Sequence, residues 1–162
     1  MIDFSYQADV QTKPISYTVR ATPEEVFTAW VTPSMVEKWW GPDGFTTRVL
    51  NLTAEVGGSF AFEMTAPDGS SCVMSGVYRR VDRPKFLNFE VHKHCNLSLP
   101  HGTEPQKNSS LVEVVFRSSE LGTVVSLTHT LLNPDYAELA AISWAQSLRC
   151  MEARFSGSAN LI

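Results

Sequence analysis

The sequence predicts an α+β domain in which one curved antiparallel sheet of seven strands wraps around a long C-terminal helix. Three observations predict it. Two short helix signals follow one another between residues 22 and 42. Alternation of apolar and polar residues takes over from residue 45, and an unbroken helical pattern runs from Asn133 to Gly157. At 162 residues the chain fits a single domain over 1–162, large enough to bury roughly two thirds of its unfolded surface.

Residues 14–21 read as the first strand, ending at Thr22. Thr22 can cap a helix opened by Pro23, and Glu25 three residues after the cap completes a capping box. Val26, Phe27 and Trp30 supply its apolar stripe. Thr32-Pro33 repeats the start signal, and Gly41-Pro42 stops the second helix after Trp39 and Trp40, so helices are expected near 23–31 and 33–40. Phe60, Phe62 and Met64 then share one strand face, and Pro67-Asp68-Gly69 turns the chain into Cys72, Met74, Gly76 and Tyr78. Asp82-Arg83-Pro84 leads into the strand carrying Leu87, Phe89 and Val91, and Glu120-Leu121-Gly122 joins strands over 111–117 and 123–131. Between them, 92–108 reads as a long loop or an elongated hairpin tip. Asn133 caps the last helix and Pro134 opens it. Ala137, Ala140, Ala141, Trp144, Leu148, Met151 and Phe155 recur on one face, so this helix must lie across the sheet.

Composition narrows the function classes. Thirteen basic and seventeen acidic residues give a net charge of -4, and no basic run exceeds Arg79-Arg80, which excludes a nucleic-acid footprint. No apolar stretch approaches the roughly 20 residues that cross a bilayer, so no membrane insertion is expected. Asp3 and polar neighbours stand where a signal peptide would be basic and then apolar, pointing to the cytoplasm. Three cysteines with no CxxC pairing suit a reducing compartment, and no disulfide is needed for a core of this size.

The chain resembles the ligand-binding superfamily that shares the helix-grip fold of START domains and birch-pollen allergens. Within it, it is similar to bacterial proteins related to the C-terminal domain of the Hsp90 ATPase activator. The residues carrying the likeness are Arg20-Ala-Thr-Pro-Glu-Glu-Val-Phe, Ala29-Trp30, Trp39-Trp40-Gly41-Pro42, Val56-Gly57-Gly58 with Phe60 and Phe62, Pro67-Asp68-Gly69, Gly76-Val77-Tyr78 and Leu127-Thr128-His129. The resemblance implies a cavity between sheet and last helix, with the two short helices closing one end. It implies no shared catalytic set. Two departures bear on the cavity's shape: Ser143 precedes Trp144 where the group commonly has Gly, and 92–108 is longer than the usual connection.

The expected function is binding of an apolar or aromatic small molecule in that cavity, by a monomer or homodimer and with no cofactor. Trp40, Phe60, Phe62, Met74, Tyr78, Phe89, His129, Trp144 and Leu148 are the candidate lining, with Tyr78 and His129 as its polar anchors. His129, placed between Leu127 and Leu131 on an apolar face, is also the candidate acid or base of an alternative, cyclase-like or hydrolase-like reading. A third reading is a protein-interaction module like the chaperone activator. His92, His94, Cys95 and His101 lie within ten residues, and on an extended strand His92 and His94 would share a side. Their spacing matches no zinc motif, which favours an exposed or gating loop over metal. Glu63 and Glu90 oppose the apolar positions of their strands and should face water, leaving no acid pair for glycoside chemistry.

Overall fold

The computed structural model describes residues 14–156 apart from 98, 100, 101 and 103. The first strand, β1 (Ile15–Val19), is followed by α1 (Pro23–Val31) and α2 (Pro33–Trp39). Then come β2 (Thr46–Leu52), β3 (Ser59–Thr65), β4 (Ser71–Asp82), β5 (Phe86–Lys93), β6 (Ser110–Ser119), β7 (Gly122–Thr130) and α3 (Pro134–Ser156). The seven strands form one antiparallel sheet in the order β1-β7-β6-β5-β4-β3-β2. Every neighbouring pair from β2 to β7 is consecutive in sequence, β5 and β6 being joined by the long 94–109 connection. β1 instead returns to pair with β7, Ile15 opposite Leu127 and Val19 opposite Thr123.

The capping box forms as the sequence dictates. Thr22 N donates to Glu25 Oε1 at 2.9 Å and Glu25 N donates to Thr22 Oγ1 at 3.2 Å, satisfying two of the amides that a helix start leaves open. α1 buries Val26, Phe27, Ala29 and Trp30 against β6 and β7. α2 packs on β2 and α3, with Trp39 Nε1 donating to the Ala29 carbonyl at 3.0 Å. The β4–β5 turn reaches back to α1. There Arg83 pairs with Glu24, donates to Thr28 Oγ1 at 3.1 Å and lies over the Phe27 ring at 4.9 Å.

α3 runs 23 residues, about 35 Å, across the concave face and buries Tyr136, Ala137, Ala140, Trp144, Ser147, Leu148 and Met151. Its start is fastened by Asn133, which accepts from Tyr136 N at 2.8 Å and donates to the Pro105 carbonyl at 3.0 Å. Gln106, buried in the β5–β6 connection, accepts from Asn133 N at 2.8 Å and donates to Leu131 O at 3.3 Å. The described part of that connection is thus docked on the helix start.

Two expectations from the sequence need correction. Leu131 does not continue the apolar face of β7: it takes a φ of 65°, is exposed, and passes the buried position to Leu132. The chain leaves the strand there to aim α3 across the sheet, and that turn overrides the period of two. The cysteines are not all free either. Cys72 and Cys95 form a disulfide with Cα atoms 5.5 Å apart, and Cys150 is the free thiol.

Candidate functional site

Between the concave sheet and the first half of α3 lies a cavity of about 290 Å³. The sheet contributes Met64, Met74 and His129, and α3 contributes Tyr136, Leu139, Ala140, Ser143 and Trp144. Trp40 forms part of the floor, and Cys95 and Leu97 form the wall beyond the end of β5. The mouth is the loop from Gly41 to Phe45.

That mouth is tied to the helix. Ser147 Oγ accepts from Gly41 N and donates to Gly41 O, both at 3.0 Å, and Gln146 Oε1 accepts from Asp43 N at 3.0 Å. Arg149 pairs with Asp43 at 2.8 Å on the exposed rim. Gly41 has a φ of 113°, a conformation side chains avoid, and an added Cβ would stand 3.2 Å from Thr47 Oγ1. Periodicity marks Ser147 only as one more helical position. Its pairing with Gly41, 106 residues away, had no signal in the sequence.

His129 is buried at the centre of a polar chain. Trp144 Nε1 donates to its Nδ1 at 3.0 Å, and its Nε2 lies 2.7 Å from Ser110 Oγ. Ser110 Oγ is in turn 2.6 Å from His94 Nε2. Because Nδ1 accepts, the neutral imidazole of His129 carries its hydrogen on Nε2 and donates to Ser110. Ser110 then donates to His94, whose hydrogen is left on Nδ1. Burial, with His94 nearby, lowers the His129 pKa to about 3. Burial, with His92 nearby, lowers that of His94 to about 4. Tyr136 is pushed up to about 12 by burial. Among the described residues, the interior of the cavity is therefore uncharged at neutral pH, and the one charged lining residue, Asp43, sits at the rim against Arg149.

The structure divides the nine expected lining residues. Trp40, Met74, His129 and Trp144 line the cavity together. Phe60, Phe62, Tyr78 and Phe89 instead pack on one another behind it, with ring centroids 5.2 to 6.0 Å apart, and the crevice between them is filled. Leu148 is fully buried outside the lining. Tyr78 is thus a core phenol whose pKa is raised by burial, and Tyr136 is the tyrosine that reaches the cavity.

The expected histidine cluster separates. Ser75 pairs with Lys93 while Gly76 pairs with Val91, so His92 is the extra residue of a β-bulge. The shared side predicted for His92 and His94 is lost: His92 is exposed and 3.0 Å from Glu90 Oε1, while His94 turns inward to Ser110. Cys95 is bound to Cys72, and His101 lies outside the described residues. Among the described residues, no three His, Cys, Asp or Glu side chains gather as a metal set.

A seven-stranded antiparallel sheet closed on one long helix, with two short helices after the first strand, defines the class of helix-grip proteins. Within that class the chain belongs to the family of activator of Hsp90 ATPase homolog 1-like proteins, whose model matches residues 20–156. No curated protein matches the sequence. Among solved structures, a protein from Chromobacterium violaceum is 23% identical with a TM-score of 0.73, over 91% of this chain and 96% of that one. The AHSA1 protein from Silicibacter pomeroyi is 20% identical with a TM-score of 0.74, over 93% and 99%. The AHSA1-like protein from Aeromonas hydrophila is 23% identical with a TM-score of 0.70, over 94% and 96%. At these identities the likeness establishes the fold.

Proposed function

We propose that the protein binds an uncharged apolar or aromatic small molecule in the cavity between the sheet and α3. The observation that carries this reading is the lining: Met64, Met74, Leu97, Leu139, Ala140 and Trp144 surround a space of about 290 Å³ into which, among the described residues, no charged group projects. That volume is at the lower end of ordinary ligand pockets, and such pockets hold their ligand by apolar area with a few polar contacts. Tyr136 is the favoured hydrogen-bond acceptor. Its hydroxyl donates to the Cys95 carbonyl at 3.3 Å and keeps lone pairs for a ligand donor.

His129 remains part of the lining, but its nitrogens argue for positioning rather than acid or base chemistry. One accepts the Trp144 indole hydrogen and the other meets Ser110, and a pKa near 3 makes it a poor base at neutral pH. Ser110 is fully buried and does not line the cavity, which disfavours it as a hydrolase nucleophile despite the imidazoles beside it.

The test is titration with the neutral fluorophore N-phenyl-1-naphthylamine, with Ala140→Leu to fill the cavity. Saturable one-site binding, weakened about tenfold or more in a folded Ala140→Leu protein, supports the reading. Absence of saturable binding, or unchanged affinity in that variant, refutes it.

A further inference from the structure

Cys72 and Cys95 are separated by 23 residues, and the bond between them ties a residue of the cavity lining, Cys95, to one outside it, Cys72. Cys72 lies near the start of β4, opposite Met64 of β3, and Cys95 follows the end of β5. Cys95 and Leu97 then line the cavity. Between them, Asn96 Oδ1 accepts from Gln106 N at 2.9 Å and Asn96 Nδ2 donates to Gln106 O at 3.3 Å. The Tyr136 hydroxyl meets the Cys95 carbonyl from the helix side. This stretch of wall is therefore held to α3 and to Gln106 by side-chain hydrogen bonds, and to the sheet at β4 by one covalent bond. Both cysteines are half-buried, neither being sealed in the core.

We propose that the Cys72–Cys95 disulfide is a redox-sensitive fastening of the cavity wall, whose opening loosens Cys95–Leu97 and weakens binding of apolar molecules. The part concerning affinity rests on the binding function proposed above. The chemistry is thiol–disulfide exchange with a dithiol. A thiolate of the reductant attacks one sulfur, the protein S–S bond breaks and a mixed disulfide forms. The second thiol of the reductant then displaces the other protein sulfur. The protein gains two electrons and two protons as two cysteine thiols, and the reductant leaves as its disulfide. A reducing cytoplasm, the location expected from the sequence, favours the open form, and an oxidising compartment favours the closed one. Cys150, whose Sγ lies 3.5 Å from the Lys38 carbonyl, takes no part.

Three measurements on the full chain test this. Thiol titration of denatured protein after oxidation with glutathione disulfide should find one free thiol, rising to all three cysteines after dithiothreitol. Three thiols in the oxidised sample would overturn the proposal. Hydrogen exchange of the Gln106 amide, which Asn96 protects, should accelerate about tenfold or more on reduction, with Cys72→Ser matching the reduced protein and ignoring the reductant. Unchanged Gln106 exchange in folded, reduced protein would equally overturn it. Affinity for N-phenyl-1-naphthylamine should fall about fivefold or more in the reduced protein and in Cys72→Ser, whose altered residue lies outside the lining. Faster exchange with equal affinity would overturn the link to binding. Faster exchange with no probe binding in either form would refute the binding function and leave the fastening standing.

Discussion

Trp144 joins three roles in one side chain: it lines the cavity, packs 5.1 Å from Trp40 between ring centroids, and supplies the hydrogen that His129 Nδ1 accepts. Trp144→Ala should cost about 3 to 5 kcal/mol in chemical denaturation, because a buried indole is removed and little can collapse into its place. A loss below about 1 kcal/mol would contradict tight packing of the indole on the faces it turns away from the cavity. Trp144→Phe keeps a ring but strips the donor, leaving a buried acceptor unpaired, and should cost about 1 to 3 kcal/mol. The histidines make a separate claim about pH. Their folded pKa values, about 3 for His129 and about 4 for His94, lie below the unfolded value of about 6.5. Between about pH 6.5 and 4 the unfolded chain takes up protons that the native chain refuses, so stability falls as pH drops through that window. It levels off once the native histidines also protonate. The slope should be roughly 1 kcal/mol per pH unit for each histidine. His94 faces both His129 and Tyr136, Trp144 faces His129 from the helix, and His92 with its partner Glu90 stands beside His94. Urea titrations of the parent and of His129→Gln at pH 7 and pH 5 check this: equal losses in both proteins would contradict it.

Elements differ in how much local sequence decides them. α1 is written in Thr22-Pro23-Glu24-Glu25, where cap, first helical position and capping-box partner are consecutive, and the structure forms both reciprocal bonds. Thr22→Ala should destabilise the protein by about 1 kcal/mol, read from thermal or urea unfolding, whereas a change under a few tenths would mean that packing alone sets this helix start. β3 and β4 were equally legible, because Phe60, Phe62 and Met64 alternate and Pro67-Asp68-Gly69 turns them. The end of β5 was not. Its bulge falls across the ladder from Ser75 and Gly76, and at Gly76 a side chain would meet the Glu90 carbonyl and the Phe60 ring. That one-residue shift sends His92 outward and His94 inward. It lies in the pairing of two strands, so neither strand's own pattern reveals it.

At the level of the molecule, the sheet, the long helix and the short helices could be read because each rests on periodicity and end signals within about 20 residues. The cavity's polar parts could not. Ser147 with Gly41, Ser110 between His94 and His129, and Cys72 with Cys95 are each brought together by register and by the path of α3, so nothing near any one of them announces its partner. The same distinction explains the split of the expected lining. Residues facing the concave side were recognised as apolar, but which of them border space and which fill it depends on where α3 crosses. Its crossing leaves Met74 and Trp144 on the cavity and Phe60 and Phe89 against each other.

All four tryptophans of the chain, Trp30, Trp39, Trp40 and Trp144, belong to one cluster, with ring centroids of neighbours 4.6 to 6.1 Å apart. Two of them, Trp40 and Trp144, line the cavity. The protein therefore carries its own optical reporter: indoles this close share excitation, so the emission and near-ultraviolet circular dichroism of the whole chain sense whatever touches two of them. Filling the cavity with an aliphatic, non-fluorescent compound should shift the emission maximum toward the blue and alter the near-ultraviolet spectrum without changing the far-ultraviolet one. Ligands without colour or label become detectable in unmodified protein, and a compound that binds yet leaves both signals untouched would be occupying some other surface.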